Sequence, residues 1–256
     1  MDSYELFLEH LRKYLDLDLT GYKRPQMERR INTLMRTLNI GDYEQFIEIL
    51  GKDKALFVRF VNHVTINVSE FFRNPTQWRI LEDQHLPVLL AQNPNLKIWS
   101  AGCSTGEECY TMAMILAEKA PRGQHAILAT DVDNQVLAKA QAGVYTAKIA
   151  SGIPQGLLQK YFTLSGDGYQ AKQELKKIIT FKHHNLLRDP FPEQMDLIIC
   201  RNVVIYFTEE TKSILYYKFF RALRSKGILF TGSTEQIIQS REIGFESGGV
   251  FFYQRP

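Results

Sequence analysis

The chain has 256 residues, of which 45% are hydrophobic, and its 31 Lys and Arg residues nearly balance 28 Asp and Glu residues at a net charge of +3. This length can bury one large core and a small accessory domain. So mild a positive charge does not by itself indicate binding of nucleic acid, and any recognition by charge must therefore be local.

The sequence contains no targeting or membrane segment that we can identify. No apolar run approaches the roughly 20 residues of a membrane span, and the start of the chain is acidic where a signal peptide needs positive charge. Cys103, Cys109 and Cys200 are an odd number and lack the neighbours of a zinc site. We therefore expect a cytoplasmic protein with reduced thiols and no metal.

Up to about residue 90 the apolar pattern is helical. Two stripes come first, Phe7, Leu8, Leu11 and Leu15, and then Met27, Ile31, Leu34 and Leu38. Pro25 suits the first turn of the second helix. Asp42 followed by Gln45 resembles the start of a third helix, and a fourth runs from about Asp53 to His63. The sequence therefore predicts a small helical bundle.

From Lys97 onward short apolar strands alternate with helices, which predicts a mostly parallel sheet. The strands are expected at 98–100, 126–130, 178–181, 196–200 and 228–231. A helix from Glu209 to Arg224 is expected to be closed by Gly227, and Phe251 to Tyr253 to pair as an antiparallel edge hairpin. Residues 161–170 form a strand, a Gly-Asp-Gly turn and a second strand, which predicts a small inserted hairpin.

The turn after the first of these strands, Ser100 to Glu108, carries small residues and then two carboxylates. Small residues let backbone amides approach a ligand, but Gly102 and Gly106 lack the spacing of a dinucleotide motif. Adjacent carboxylates disfavour a pyrophosphate and suit a ligand with a positive amino group, such as S-adenosylmethionine. The alternative is a tight turn at a charged helix start.

The later strands also end on polar residues, where ligands bind in open α/β sheets. Asp131 stands where an acid can bond ribose hydroxyls, whereas Asp133 is as well explained as a helix cap. His183 and His184 point to opposite faces of a strand and are expected to be structural. Asn185 can read the amino edge of adenine. The strand 196–200 ends on Arg201 and Asn202, which we take to mark the chemical site.

Five segments in this order resemble the bacterial chemotaxis protein methyltransferases of the CheR type, especially the short Gram-positive members. They are Asn67 to Arg73, Ser100 to Glu108, Ala129 to Asp133, Asn185 to Leu187 and Cys200 to Phe207. The resemblance implies a class I S-adenosylmethionine-dependent methyltransferase, an α/β Rossmann-like fold whose mostly parallel sheet has an antiparallel C-terminal hairpin. A small all-α domain would precede it, and a small β-hairpin subdomain would be inserted.

The resemblance and the periodicity together predict the domain boundaries. A helical domain that recognises the receptor is expected at residues 1–72, and a linker helix at 73–95. The methyltransferase domain is expected at 96–256, with the hairpin insertion at about 160–180. The implied reaction methylates glutamate side chains of chemoreceptors. The implied partner is their cytoplasmic helical domain, with no nucleic acid, no membrane insertion and a monomeric enzyme.

Carried over by position, the resemblance implies a set of residues for the cofactor: Asn67, Ser69, Arg73, Glu108, Asp131, Asn185, Leu186, Asn202 and Val203. Ser69 stands where the family usually has Thr, Gly102 where it has Ala and Cys109 where it has Pro; none of these changes removes a functional group. The segment around Ser69 is otherwise explained as an interdomain connector, and it can also close the site as a lid.

For the substrate, Arg73 and Arg201 are suited to hold a carboxylate by charge-assisted hydrogen bonds, and Tyr206 can orient one of its oxygens. A basic stripe on the second helix, Arg29, Arg30 and Arg36, suits a glutamate-rich receptor helix, although such a stripe is often only a solvated face. Two rival functions stay open: a nucleic-acid methyltransferase and a non-catalytic cofactor-binding receptor adaptor.

Overall fold

A computed structural model describes residues 2–65 and 67–256 of the chain. These residues form two compact units. One contains the described residues up to Asn67 together with Tyr206–Ser213, and the other contains Val68–Ile205 and Ile214–Pro256. None of the described helices is long and apolar enough to cross a bilayer.

The first unit is built on four helices: α1 (Ser3–Tyr14), α2 (Arg24–Thr37), α3 (Tyr43–Lys52) and α4 (Lys54–Val64). Aspartates begin α1, α3 and α4, because the side chains of Asp2, Asp42 and Asp53 each accept a bond from an N–H of the first turn. Pro25 lies in the first turn of α2 as predicted. The predicted helical bundle is confirmed.

Stacked aromatic rings fill the core of this unit. The rings of Phe7 and Phe46 are stacked with centroids 5.7 Å apart, and Phe60 meets both edge-on. The distant segment 206–213 joins the unit through backbone bonds, since Lys23 N–H donates to Tyr206 O at 2.8 Å and Thr208 N–H to Gly21 O at 2.9 Å. Packing and hydrogen bonding thus tie together parts of the chain that are far apart in sequence.

The second unit contains the remaining elements. Its strands are β1 (Lys97–Ala101), β2 (Ala126–Asp131), β3 (Val144–Thr146), β4 (Phe162–Ser165), β5 (Gly168–Ala171), β6 (Ile179–His183), β7 (Met195–Cys200), β8 (Leu223–Thr231), β9 (Glu246–Ser247) and β10 (Phe252–Gln254). Its helices are α5 (Pro75–Ile80), α6 (Leu86–Gln92), α7 (Glu107–Lys119), α8 (Asn134–Ala142), α9 (Ala147–Ala150), α10 (Gln155–Tyr161), α11 (Gln173–Lys176) and α13 (Ser240–Ile243). Helix α12 (Glu209–Ala222) begins in the segment of the first unit and ends in the second.

The main sheet has seven strands in the order β6-β2-β1-β7-β8-β10-β9. The first five run parallel, and β10 is antiparallel to both β8 and β9. The predicted mostly parallel sheet with an antiparallel C-terminal hairpin is confirmed. Because chain order reverses at β1 and β7, the crevice for a ligand lies at the carboxyl ends of these two strands.

Residues 75–92, within the predicted linker helix, form α5, a π-helical turn at Leu81–His85, and α6. Their buried side chains, Trp78, Leu81, Leu86 and Leu89, belong to the core of the second unit. The helix begins at Pro75, as expected. Asn74 does not cap it through its side chain, however, and has a left-handed φ of 58°.

The sequence missed or misplaced a few elements. The inserted hairpin β4–β5 is present, but β3 also pairs with β5 and makes a three-stranded sheet. Gly227 does not close α12; it lies inside β8, beyond the end of the helix at Ala222. A Cβ at Gly227 would lie 2.8 Å from Met195 O, so glycine is required where the β7–β8 pairing is irregular.

Candidate cofactor site

The carboxyl ends of β1, β2 and β7 bring three of the predicted segments together. Gly102 N–H and Cys103 N–H both donate to Thr130 O, at 2.8 and 2.9 Å, so the glycine turn is bonded to the end of β2. Gly102 and Gly106 have φ values of +84° and +96°, which glycine adopts at little cost. Val203, just beyond β7, packs so closely that a Cβ on Gly102 would lie 2.5 Å from Val203 Cγ2.

Asp131 links the glycine turn to the start of α8. Its carboxylate accepts the N–H of Ser104 at 2.9 Å and the N–H of Asp133 at 3.0 Å. Burial raises the pKa of Asp131, and the two backbone bonds oppose that shift. Asp133 caps α8 through the N–H groups of Gln135 and Val136, as its alternative explanation expected.

Glu108 is a partly buried carboxylate on the first turn of α7, with 13% of its side chain exposed. It accepts the Ser100 hydroxyl at 2.9 Å and lies 3.8 Å from Arg201 Nη1. Burial raises the pKa of Glu108 to about 7, although Arg201 and Ser100 act in the opposite direction. Near neutral pH this site can therefore gain a full negative charge when a cation binds beside it.

Arg201 has a different place from the one that the sequence suggested. Its side chain is only 2% exposed, and Nη2 donates to Arg73 O, Asn74 Oδ1 and Gln77 Oε1 at 2.8 to 3.1 Å. Three acceptors of the protein thus occupy Nη2, whereas the buried Nε has no hydrogen-bond partner among the described residues. This burial favours support of the segment at Arg73 over direct contact with a substrate carboxylate.

Arg73 itself is partly exposed, and its Nη1 donates to Val68 O at 3.2 Å. Its positive charge favours the ionised form of Glu108. Ser69, on the same segment, is partly buried. Of the two arginines that we expected to bind a carboxylate, Arg73 is the one with an accessible side chain.

Asn202 and Val203 are held by a residue that the sequence analysis missed. The Glu235 carboxylate accepts Asn202 N–H at 2.6 Å and Val203 N–H at 2.9 Å. An isolated glutamate after a Gly-Ser-Thr turn carries no motif of its own. The only available signal was its position just beyond a strand end, which is where ligand-binding loops lie.

The segment after β6 is largely bonded to itself. Asn185 Oδ1 accepts Leu187 N–H at 2.9 Å, so this oxygen is engaged within its own turn. Leu186 is buried, and its carbonyl accepts a bond from Lys218 Nζ at 3.0 Å. His183 is exposed while His184 is buried against Trp99, in agreement with opposite faces and a structural role.

The remaining predicted residues, Asn67, Tyr206, Arg29, Arg30 and Arg36, belong to the first unit. Arg29 and Arg36 are exposed on α2. Arg30 is partly buried, and its guanidinium donates to the carbonyls of His63 and Thr65 at the end of α4. Arg30 therefore caps a helix within the bundle, and the assignment of Asn67 and Tyr206 to the site stays a prediction.

Two buried polar atoms at the β1/β7 crevice fit a polar ligand. Ser104 Oγ in the glycine turn and Asn202 Oδ1 after β7 have no hydrogen-bond partner among the described residues. Buried polar groups normally pair, and Ser104 is also the residue whose N–H binds the Asp131 carboxylate. A hydroxyl, an amide oxygen and two carboxylates suit the hydroxyls and the amino group of S-adenosylmethionine.

Comparison with known proteins agrees with this chemistry. The CheR methyltransferase all-alpha domain matches residues 2–65, and the CheR methyltransferase SAM-binding domain matches residues 67–248. A chemotaxis protein methyltransferase of Listeria innocua is 39% identical over 252 residues, which is 98% of this chain and 96% of the relative.

A more distant relative agrees with that match. The chemotaxis protein methyltransferase of Escherichia coli is 32% identical over 229 residues, covering 85% of this chain and 78% of the relative. Among solved structures, a TehB-like SAM-dependent methyltransferase from Corynebacterium glutamicum has 16% identity and a TM-score of 0.39, covering 71% of this chain and 94% of that one.

The fold and the cofactor site define an S-adenosylmethionine-dependent methyltransferase of class I. Within that class, the chain belongs to the CheR methyltransferase family.

Proposed function

We propose that this enzyme transfers the methyl group of S-adenosylmethionine to glutamate side chains of chemoreceptors in the cytoplasm, giving glutamyl methyl esters that serve sensory adaptation. The observation that carries the proposal is the partly exposed Arg73, whose segment is held by the buried Arg201 beside the acidic cofactor site. A guanidinium at this place suits an anionic substrate group. The naming of the relatives as chemotaxis protein methyltransferases supports the receptor as substrate.

The chemistry needs position more than proton transfer. A glutamate with an ordinary pKa of about 4.3 is already ionised near neutral pH, so no general base is required. Bound S-adenosylmethionine would supply a methyl group on a sulfonium, whose carbon–sulfur bond would break as the substrate oxygen bonds to the methyl carbon, with the electron pair left on sulfur. In this proposal Arg73 binds the carboxylate and the Tyr206 hydroxyl orients one oxygen.

The partner we propose is the glutamate-rich cytoplasmic helical domain of the receptor, bound by a monomeric enzyme. Arg29 and Arg36 present exposed positive charge on α2. Arg24 does not add to it, because it lies within 3.7 Å of Asp2, Glu5 and Glu28. The basic surface is thus reduced to two exposed arginines, which can steer an acidic helix at low ionic strength.

The test is transfer of tritiated methyl groups to receptor-containing membranes of the source bacterium. We expect label on the receptor that mild base releases as methanol, which identifies an ester. Arg73→Ala should reduce labelling by about 10- to 100-fold, from the loss of a charged hydrogen bond of roughly 1.5 to 3 kcal/mol. The matched control is Arg79→Ala on the exposed side of α5, which should label normally.

Three outcomes would contradict the proposal. Base-stable label would replace the ester by another linkage. Label in nucleic acid would favour a nucleic-acid methyltransferase. Cofactor binding without any transfer to the receptor would favour an adaptor.

A further inference from the structure

One carboxylate gathers an unusual number of backbone donors. Glu235 accepts the N–H groups of Asn202, Val203, Val204 and Ile205, at 2.6 to 3.3 Å, and that of Gly232 at 2.7 Å. The residue is only 3% exposed. Because a buried carboxylate is costly unless its oxygens are bonded, these donors and Glu235 hold each other in place.

A tight turn places Glu235 beyond the end of β8. Its own N–H donates to Gly232 O at 3.0 Å, which closes the turn. A Cβ on Gly232 would lie 2.5 Å from Glu235 Oε2 and 2.9 Å from Asn202 N. Glycine is therefore required at this position for the carboxylate to reach the segment after β7.

The segment that Glu235 binds has a conformation that needs support. Asn202 has a φ of +59°, a left-handed conformation that is uncommon outside glycine, although asparagine tolerates it better than most residues. Residues 204–206 then form a short 3-10 helix whose first N–H groups point at Glu235. A side chain from another strand end thus supplies the cap that the helix lacks in its own sequence.

The segment that Glu235 binds also contacts the glycine turn. Val203, whose N–H is bound by Glu235, packs against Gly102, and Asn202 leaves its Oδ1 without a partner at the same edge. Release of the segment would move both side chains relative to the glycine turn.

We propose that Glu235 is a positioning residue of the cofactor site: by binding the N–H groups of residues 202–205, it holds Asn202 and Val203 in the arrangement that binds S-adenosylmethionine. The inference deepens the proposed function and rests on its assignment of Asn202 and Val203 to the cofactor. Glu235 does not itself touch the cofactor in this scheme, so its effect is exerted through the backbone.

The direct test is Glu235→Gln, which keeps the size of the side chain but replaces one acceptor oxygen by a donor. In either amide orientation some of the bound N–H groups then face another donor. We expect faster hydrogen exchange of the amides of residues 202–205, and a dissociation constant for S-adenosylhomocysteine increased about tenfold or more, as expected for the loss of charged hydrogen bonds. The KM for S-adenosylmethionine should rise, while the KM for receptor changes little.

A matched control is Asp196→Asn, at the other end of the sheet. Asp196 is also a buried carboxylate, 1% exposed, which accepts Lys97 N–H at 2.7 Å and Arg224 Nε at 2.5 Å. This variant should lower the melting temperature yet leave the affinity for S-adenosylhomocysteine within twofold. If Glu235→Gln lowers the melting temperature as much as Asp196→Asn does and leaves the affinity for S-adenosylhomocysteine unchanged, Glu235 is purely structural and the inference is overturned.

One further variant, Asn202→Ala, separates this inference from the proposed site. If Asn202→Ala weakens cofactor binding and Glu235→Gln does not, the role of Glu235 is wrong; if neither variant weakens it, the assignment of the site is wrong as well. Should Glu235→Gln fail to fold, Glu235→Asp keeps the charge but shortens the side chain by one methylene, which weakens the same bonds. This variant should also raise the dissociation constant for S-adenosylhomocysteine, and normal affinity in folded Glu235→Asp would overturn the inference.

Discussion

Two carboxylates near the cofactor edge of the sheet, the buried Asp131 at the end of β2 and the partly buried Glu108 on α7, differ in what holds them. Asp131 accepts backbone N–H groups that fix the glycine turn, whereas Glu108 accepts a serine hydroxyl and faces the guanidinium of Arg201. Burial raises the pKa of both. Since the pKa of Glu108 is raised to about 7, binding of a cationic ligand beside this carboxyl is coupled to proton release, because the ligand's charge favours the ionised form.

The first prediction concerns the pH dependence of binding at Glu108. With a pKa raised to about 7, the free carboxyl is largely protonated at lower pH, and the ammonium group of S-adenosylhomocysteine should ionise it. As the pH increases toward the raised pKa, the affinity for S-adenosylhomocysteine should therefore rise by up to about tenfold per pH unit. Above that pKa the affinity should level off. Calorimetry in two buffers of different ionisation heat should detect proton release below pH 7.

Glu108→Gln removes the titrating group and should abolish this proton release. Equal affinity of the wild-type protein at pH 6 and pH 8, with no heat difference between buffers, would show that the cofactor amino group lies elsewhere.

The second prediction compares Asp131 with Asp133, two residues along the chain. Asp131→Ala should weaken binding of S-adenosylhomocysteine by roughly 1.5 to 3 kcal/mol, since it removes charged hydrogen bonds from the ribose. Asp133→Ala removes the cap of α8 and should cost about 1 kcal/mol of folding stability without changing affinity. Calorimetry measures the affinity of both variants for S-adenosylhomocysteine, and urea unfolding measures their stability. Unchanged affinity in Asp131→Ala would show that the ribose does not bind at the end of β2.

At the scale of elements, α2 shows how one basic helix divides between structure and recognition. Arg30 binds carbonyls at the end of α4, where a cation also suits the negative end of the helix. Arg29 and Arg36 are exposed. Neighbouring arginines in the sequence thus have different surroundings.

The third prediction follows from this division. Arg29→Glu with Arg36→Glu should lower the kcat/KM for receptor methylation several-fold at low salt, with the difference shrinking as salt screens it. The melting temperature and cofactor affinity should stay at wild-type values, because exposed substitutions have small effects. Arg30→Ala should do the reverse and destabilise the bundle by about 1 to 2 kcal/mol. If the double variant and the wild-type protein methylate the receptor equally well at low salt, the two arginines form only a solvated surface and do not bind the receptor.

At the scale of the whole chain, all three cysteines lie in the second unit and are buried with free thiols. Cys103 lies in the glycine turn, Cys109 on the first turn of α7 and Cys200 at the end of β7. Burial raises the pKa of each thiol, which slows reaction in the folded state.

The fourth prediction uses these thiols to monitor opening of the second unit. Labelling with a thiol reagent at pH 8 should be slow in the native protein and fast in urea. S-adenosylhomocysteine at 100 times its dissociation constant should slow labelling by about 100-fold when labelling requires an open state that cannot bind ligand. Fast native labelling of any thiol, unaffected by ligand, would show that the cofactor edge opens independently of binding.

Local signals determined much of the fold. Aspartates before α1, α3 and α4, Pro25 in α2 and the alternation of strands with helices act within a few residues of chain. The helical bundle, the mostly parallel sheet and the inserted hairpin could therefore be predicted from sequence, and the order of five motifs indicated the family. The end of α12 was predicted wrongly, since the irregular pairing that places Gly227 in β8 depends on the neighbouring strand.

The tertiary structure decided what the polar side chains do. From the sequence alone, Arg201 and Arg30 were candidate substrate ligands and Glu235 had no role. In the structure Arg201 is buried against the segment at Arg73. Arg30 binds His63 O at the end of α4, and Glu235 binds the N–H of Asn202. In both of these pairs the partners are 33 residues apart in the sequence. A charged residue is equally able to bind a ligand or its own protein. Which of these it does depends on the acceptors and donors that strand crossovers bring within about 3 Å, and a local pattern does not contain that information.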